Sequence, residues 1–283
     1  YWKLGKTELA VDSYQTALVK RSNIQLDVES KLRPATTFFF LELTNKCNFH
    51  CEFCPSDSQT RLHGYMDISL AKKIFDEISE KKLVSQVHLH LMGEPTLHPK
   101  LNDILKYAKD KNVKINLTTN GSTLVKKKVP NLLESISGSI TASLMTPTED
   151  TYDIRGDVGL SWDRYIDNFR LLVKEHLTRI SKGEKINYNI SMRIMVTEKN
   201  RKGTVKVMDC SQDIQDNWNE WTKYVENVEK ELGLKSYKRK KIDSDKIFDS
   251  LNETNEVSCN LQQGITLQFW RAFTFANSRV NDD

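Results

Sequence analysis

The sequence has little of what marks a membrane protein or a secreted one. Its longest apolar cluster, FFFLEL, is far shorter than the roughly 20 residues that a transmembrane helix needs. No charged segment followed by an apolar one opens the chain, so we expect no signal peptide. A secreted disulfide framework would have more cysteines, even in number and in a shorter chain, than the five found among these 283 residues. We therefore expect a cytoplasmic protein with no membrane partner.

The sequence also lacks a strong excess of charge. The net charge is +4, and Lys and Arg are spread along the chain apart from VKKKV (125–129) and KRKK (238–241). A nucleic-acid-binding surface would combine a basic face with aromatic side chains. Short charge runs are usually solvated helix ends and loops. We therefore expect no nucleic-acid partner.

Apolar periodicity predicts strands that alternate with helices. Strands are predicted over 36–43, 86–92, 113–121, 139–145 and 186–197, and helices over 67–82, 99–111, 162–180 and 213–232. This alternation fits an open doubly wound sheet or a partial barrel. We favour an α/β fold with a partial (β/α)6 TIM-like barrel of parallel strands and a C-terminal extension. In both architectures ligands bind at the carboxyl ends of the strands.

The alternation divides the chain into three parts. We expect an N-terminal extension over 1–35, a core domain over 36–235 and a C-terminal extension over 236–283. After Leu232 the pattern fades into a charged linker with a weak strand at 237–242. An apolar strand, ITLQFWRAFTF (265–275), follows with no closing helix.

Three cysteines stand together in ELTNKCNFHCEFCPS (42–56), with the spacing C-x3-C-x2-C. A structural zinc site takes four protein ligands. A [4Fe–4S] cluster normally takes four cysteines, so three would leave one iron open to another ligand. The alternative is a non-catalytic zinc-binding module that recruits His50 or His63. Cys210 and Cys259 stand alone and are expected to be ordinary thiols.

Four segments together resemble the radical S-adenosylmethionine (radical SAM) superfamily. The cysteine spacing, with Phe53 before the third cysteine, resembles the family's cluster motif. The stretch LMGEPTLHPKL (91–101) is similar to its GGEP motif, with Met92 in place of the first glycine. TTNG (118–121) stands where the family has TNG, and SLMTPTEDTYDIRG (143–156) resembles members with a SPASM or twitch domain.

The resemblance, which covers roughly residues 36–200, implies a function and its cofactors. Cys47, Cys51 and Cys54 would hold a [4Fe–4S] cluster whose open iron binds S-adenosylmethionine (SAM). An electron from a donor such as flavodoxin or ferredoxin would cleave SAM. The resulting 5′-deoxyadenosyl radical would abstract hydrogen from a peptide or small-metabolite substrate, which makes the protein an oxidoreductase.

The resemblance also implies which residues contact SAM. Phe53 would lie against the adenine, and the segment Met92, Gly93 and Glu94 would hold the methionyl ammonium. A carboxylate and backbone carbonyls are suitable acceptors for its N–H groups.

The resemblance, applied to the ends of the predicted strands, implies roles for further residues. Ser143 would bond the ribose hydroxyls, and Arg193 would pair with the SAM carboxylate unless it forms a structural salt bridge. Asn120 either lines the site or ends its strand in a turn with Gly121.

The last segment, CNLQQGITLQF (259–269), begins like the SPASM region of relatives. No second cysteine follows Gly264 at the expected spacing. We expect a truncated chain. In that case the resemblance implies that Cys259 would ligate an auxiliary iron–sulfur cluster, and otherwise Cys259 would be an ordinary thiol.

Overall fold

The computed structural model describes residues 36–156, 159–197 and 205–271. The expected extension over 1–35 and the end of the last predicted strand, 272–275, lie outside these residues. The strands are β1 Thr36–Phe40, β2 Val84–His88, β3 Ile115–Thr119, β4 Gly138–Met145, β5 Tyr188–Val196, β6 Glu256–Gln262 and β7 Ile265–Arg271. The helices are α1 Ile68–Lys81, α2 Leu101–Asp110, α3 Val129–Ser135, α4 Trp162–Ser181, α5 Ser211–Glu231 and α6 Ser244–Thr254.

The seven strands form one sheet in the order β1-β2-β3-β4-β5-β7-β6. Six of them are parallel, and β6 pairs antiparallel with β7. The parallel strands follow one another in chain order, which is the winding of a barrel, whereas a doubly wound sheet reverses its order. Within the described residues β1 and β6 remain edges, so the barrel is open. The predicted α/β class and partial (β/α)6 barrel are confirmed.

The two faces of the sheet differ in polarity because side chains alternate along each strand. The outer face packs on the helices with fully buried apolar residues, such as Leu117 and Ile190. The inner face is polar: Gln86 and Asn116 both donate to the Ser139 hydroxyl, over 3.1 and 3.0 Å. These bonds join β2, β3 and β4 across the inner face of the sheet, close to the amino ends of β3 and β4.

The helices confirm most local predictions. Asp67, the predicted N-cap of α1, accepts a hydrogen bond from the Ser69 amide over 2.7 Å. Trp218 and Trp221 on α5 are buried, as expected for core packing. None of the helices in the described ranges is both long and apolar enough to cross a membrane.

The expectation for the chain after Leu232 was wrong in two respects. The described residues contain no strand at 237–242, and α6 (Ser244–Thr254) precedes the hairpin of β6 and β7. The helix buries only Ile247 and Leu251, which is too weak a pattern to stand out from its charged neighbours. β7 supplies the sixth parallel strand of the barrel, although it lies within 236–283. The division of the chain into 1–35, 36–235 and 236–283 stays a prediction.

Candidate functional site

Three loops meet at the carboxyl ends of β1, β2 and β3. They are the cysteine loop (47–54), the Glu94 loop (92–95) and the Asn120 loop (119–121). The register of the parallel strands β1, β2 and β3 brings their ends to one edge of the sheet. Each loop carries one of the sequence motifs, so the structure brings these motifs together.

The three cysteines of the cysteine loop are half-buried. Burial raises the pKa of Cys47 to about 11 and also raises the pKa of Cys51. A thiol must lose its proton to bind a metal, and a bound metal drives that loss. Burial therefore favours the protonated form of Cys47 and Cys51 unless a cation is bound.

The three sulfurs do not lie as close together as ligands of a single zinc ion would. Among the described residues, Cys47, Cys51 and Cys54 do not all lie within 4.8 Å of one another. Thiolates on one tetrahedral zinc would lie about 3.8 Å apart, given Zn–S bonds of about 2.3 Å. In a [4Fe–4S] cluster each thiolate binds a different iron and the sulfurs are farther apart. The three sulfurs therefore do not form a compact site for a single zinc ion, and the case for the cluster rests on the number and spacing of the cysteines.

The positions of the two histidines that a zinc site would use also argue against a zinc site. His50 is exposed, and its Nδ1 lies 3.0 Å from Asp57 Oδ1. His63 is exposed as well. Neither histidine forms a compact ligand group with the cysteines in the described residues.

Glu94 joins the Glu94 loop to the Asn120 loop. Its side chain is buried, and Oε1 accepts hydrogen bonds from the Thr96 amide and hydroxyl and from the Thr119 hydroxyl. Its Oε2 accepts the Asn120 amide over 2.6 Å. Burial raises the pKa of Glu94, although these bonds oppose the rise. A carboxylate has about four acceptor sites, so the structure gives Glu94 a positioning role. Its contact with a methionyl ammonium stays a prediction.

Gly93 lies against the chain just before the cysteine loop. A Cβ at this position would stand 1.9 Å from the Thr44 carbonyl oxygen, so no larger residue fits. The next amide, of Glu94, donates to the Lys46 carbonyl over 2.8 Å. The close approach fixes the Glu94 loop beside Cys47.

Glu42 and Arg61 complete this attachment and were missed from the sequence. Glu42 Oε1 accepts the Met92 amide over 2.9 Å, and Arg61 donates to both carboxylate oxygens. Burial would raise the pKa of Glu42, but the bonds from Arg61 and from the Met92 amide lower it. The available signal was an acidic residue within the apolar run FFFLEL.

Asn120 connects the Asn120 loop directly to the cysteine loop. Its Nδ2 donates to Cys47 Sγ over 3.8 Å and to Asn48 Oδ1 over 3.1 Å. Its Oδ1 accepts the Ser122 amide, which closes the turn with Gly121. Both roles considered for Asn120, lining the site and ending the strand, are therefore compatible with its contacts.

Ser143 and Arg193 lie side by side on the neighbouring strands β4 and β5. Arg193 Nε donates to Gln268 Oε1 over 2.7 Å, and its Nη2 stands 3.9 Å from Glu256. These contacts resemble the structural alternative considered for Arg193, although the pair with Glu256 is long. Binding of SAM by Ser143 and Arg193 stays a prediction.

Two histidines of the inner face lie opposite Arg193. Burial, followed by the charge of Arg193, lowers the pKa of His88. Burial and the charges of His88 and Arg193 lower the pKa of His90 to about 4. Both rings pack against Phe40, with centroids 5.2 and 5.5 Å away. This part of the barrel interior is therefore aromatic, and its surroundings favour the neutral form of both imidazoles.

Phe53 packs near a residue that the sequence did not single out. The guanidinium carbon of Arg155 lies 5.6 Å from the centre of the Phe53 ring. Phe53 is half-buried, and its predicted contact with adenine stays a prediction.

The two isolated cysteines lie away from these loops. The sulfur of Cys210 stands close to carboxylate oxygens of Asp209 and Asp213. Asp213 Oδ2 accepts the amides of Asp209 and Cys210, so this group is the N-terminal cap of α5. Cys259 lies on β6, where burial raises its pKa. No second cysteine joins it in a compact ligand group within the described residues, and the auxiliary cluster stays a prediction.

Comparison with known proteins shows which family this chain is similar to. The sequence profile described as the Radical SAM superfamily matches residues 41–208. The tungsten-containing aldehyde ferredoxin oxidoreductase cofactor-modifying protein of Pyrococcus furiosus is 30% identical over 97 residues, which are 34% of this chain and 27% of that protein. The mycofactocin maturase MftC of Mycobacterium tuberculosis is 32% identical over 116 residues, 41% of this chain and 29% of that protein.

Solved structures include a similar chain. SuiB of Streptococcus suis, bound to S-adenosylmethionine, aligns with a TM-score of 0.47 at 18% identity, over 80% of this chain and 58% of that one. The chain spans less than a third of the length of either curated relative.

Proposed function

Since this chain belongs to the radical SAM superfamily, whose members are enzymes that use a [4Fe–4S] cluster and SAM, we propose that it catalyses a radical reaction on its own substrate. When bound, the cluster and SAM supply the 5′-deoxyadenosyl radical that abstracts a hydrogen atom. The protein supplies the ligands, the orientation and a site that excludes water.

We assign the cluster to Cys47, Cys51 and Cys54. The observation that carries this assignment is the meeting of three motif loops around Cys47. Asn120 donates to its sulfur, and the Glu94 loop is attached beside it through Gly93. An N–H group on a ligating sulfur stabilises its negative charge.

The SAM contacts remain those implied by the motifs. The backbone carbonyls of Met92 and Gly93 and the carboxylate of Glu94 are assigned to the methionyl ammonium, and Glu94 also holds their loop in place. Phe53 is assigned to the adenine. Ser143 and Arg193, in register on the inner face, are assigned to the ribose and the carboxylate.

The substrate is assigned to the inner face of the barrel. Hydroxyl and amide groups of Gln86, Asn116 and Ser139 line its floor, and the aromatic group of Phe40, His88 and His90 lines one wall. Such a lining supports a substrate that has both polar groups and a flat or apolar part, whether a small metabolite or a peptide segment.

The remaining partners follow from the chemistry. Reduction needs a one-electron donor, for which flavodoxin or ferredoxin is suitable. A reducing compartment such as the cytoplasm keeps the three thiols available for iron.

The proposal is tested by anaerobic reconstitution of the chain with iron and sulfide. We expect about four irons per chain, a broad absorbance near roughly 400 nm, and formation of 5′-deoxyadenosine from SAM after reduction. A colourless protein with one zinc per chain would support the non-catalytic zinc module instead.

A further inference from the structure

Arg155 is a fully buried cation in the segment after β4. The residue is 2% exposed. One guanidinium nitrogen donates to the Ser143 carbonyl over 3.3 Å, while Nε has no hydrogen-bond partner. The guanidinium carbon lies 4.7 Å from the ring centre of Phe49 and 5.7 Å from that of Tyr165.

This environment does not balance the charge of Arg155. A guanidinium group keeps its proton at every pH a protein experiences, so it cannot escape burial by becoming neutral. Ring faces and one carbonyl offset part of the cost of burial. Among the described residues no Asp or Glu forms an ion pair with it. A buried charge without a counter-charge is normally strongly destabilising.

The backbone around Arg155 runs beside the cysteine loop. The His50 amide donates to the Arg155 carbonyl over 3.2 Å, and the Glu52 amide donates to the Ile154 carbonyl over 2.9 Å. These two bonds flank Cys51. The next residue, Gly156, has φ of 79° and would bring a Cβ within 2.8 Å of the His50 carbonyl oxygen. Arg155 is therefore held in place against the loop that carries the predicted ligands.

The guanidinium group of Arg155 lies against aromatic rings of the cysteine loop. Its carbon is 4.7 Å from the ring centre of Phe49 and 5.6 Å from that of Phe53, and these two residues flank Cys51 in the sequence. An anionic cluster held by the three cysteines would therefore lie beside Arg155 and supply the counter-charge that no described carboxylate provides.

We propose that Arg155 is a positioning residue that balances the negative charge of the cluster bound by Cys47, Cys51 and Cys54 and favours its one-electron reduction. The proposal rests on the function proposed above. Reduction adds one electron from an external donor to the cluster, and no bond to the protein forms or breaks. A fixed cation in a poorly solvated site stabilises the more negative, reduced form. Net charge and solvent exposure are known determinants of cluster potential.

The test is the midpoint potential of the reconstituted cluster, measured in Arg155→Met, Arg155→Gln and Arg155→Lys. The Met and Gln variants remove the charge, and the Lys variant keeps it without the planar group. We expect the equilibrium constant for reduction to fall at least tenfold in the neutral variants, which is a shift of about 59 mV to more negative potential. The Lys variant should stay near the wild-type potential.

Arg170→Met is the matched control. Arg170 also stacks on an aromatic ring, with its guanidinium carbon 5.8 Å from the Tyr224 ring centre, but it lies on the outer surface. Arg170→Met changes the net charge by the same amount as Arg155→Met and should leave the midpoint potential of the cluster unchanged.

The outcomes separate the two proposals. A wild-type protein without a [4Fe–4S] cluster would overturn the proposed function itself. An intact cluster at wild-type potential in a neutral variant would overturn the role of Arg155. If both neutral variants lose the cluster and Arg155→Lys keeps it, the need for charge is supported. Loss in all three variants would mean that only the shape of Arg155 matters.

Discussion

Arg155 and Arg239 are both buried arginines, and the protein treats them in opposite ways. Arg239 Nη2 donates to Glu229 over 2.6 Å, and the two side chains are 7% and 3% exposed. Its Nε also donates to the Leu261 carbonyl of β6 over 2.8 Å. Arg155 contacts a backbone carbonyl and aromatic rings, two of which, Phe49 and Phe53, belong to the cysteine loop.

The difference separates a structural charge from one that serves a ligand. The charge of Arg239 is balanced by Glu229 on α5, so this pair fastens the helix to the β6–β7 hairpin. The charge of Arg155 is directed at a loop where an anionic group is proposed to bind. Burial alone therefore does not mark an arginine as functional. The proposed role of Arg155 is supported by burial without a carboxylate partner, beside the candidate metal ligands.

The largest effect is expected from removing a ligand of the anionic cluster whose charge Arg155 is proposed to balance. In Cys51→Ala only two of the three thiolates remain, which is too few to hold the cube. We expect loss of cluster iron and of 5′-deoxyadenosine formation. Cys210→Ala is the control, because Cys210 lies at the start of α5 and should be dispensable for both. A Cys51→Ala protein that keeps its iron and cleaves SAM would show that the ligands are assigned wrongly.

The second prediction concerns the ion pair between Arg239 and Glu229. Glu229→Leu leaves Arg239 buried without its main counter-charge, and such losses cost about 3–5 kcal/mol of unfolding free energy. The exposed partner Glu226, at 3.5 Å, is the matched control, and Glu226→Leu should cost no more than about 1 kcal/mol. Urea unfolding followed by circular dichroism measures both. Equal, small losses of unfolding free energy in both variants would contradict a stabilising ion pair between Arg239 and Glu229.

His90 offers a third case, because it is a half-buried basic group that, unlike arginine, can lose its proton. Its pKa falls from 6.5 to about 4 in the folded state, so the unfolded chain binds more protons between these values. The stability that His90 contributes is present above about pH 6.5 and is lost as the pH falls towards 4. We expect wild type to lose roughly 2 kcal/mol from this group between pH 7.5 and pH 5. Urea midpoints of His90→Asn should fall correspondingly less over this range, and an equal fall in both proteins would contradict it.

The smallest expected effect concerns Arg193, whose charge is only partly matched by Glu256 at 3.9 Å. If Arg193 binds the SAM carboxylate, Arg193→Lys loses a charge-assisted hydrogen bond and SAM affinity falls by about 1.5 kcal/mol. Equilibrium dialysis with SAM measures this, and Gln268→Met controls for disturbance of the Arg193 side chain. Unchanged affinity in Arg193→Lys with lower thermal stability would establish the structural role.

The barrel could be predicted because its strands and helices repeat strong patterns. Buried parallel strands such as β5 and amphipathic helices such as α5 stand out by periodicity. Helix α6 did not, since it buries only Ile247 and Leu251 among charged residues. The hairpin of β6 and β7 was half predicted, because β6 is an edge strand with mostly polar side chains.

The site was predictable as far as its motifs extend. The cysteine spacing, Gly93 and Asn120 were singled out from the sequence, and the structure brings their loops together. The sequence did not reveal the hydrogen bonds that occupy the Glu94 carboxylate or those that Glu42 forms with Met92 and Arg61. These bonds depend on contacts between distant segments. Arg155 stood within a quoted motif, but a single arginine has no periodicity that reveals its burial.

The most direct test of the three-thiolate cluster is its electron paramagnetic resonance spectrum. The reconstituted protein, reduced with dithionite, is measured before and after addition of SAM. If Cys47, Cys51 and Cys54 leave one iron open, SAM will bind that iron and shift the spectrum of the reduced cluster. A [4Fe–4S] spectrum that saturating SAM leaves unchanged would contradict an open iron, and a protein without a cluster spectrum would contradict the cluster itself.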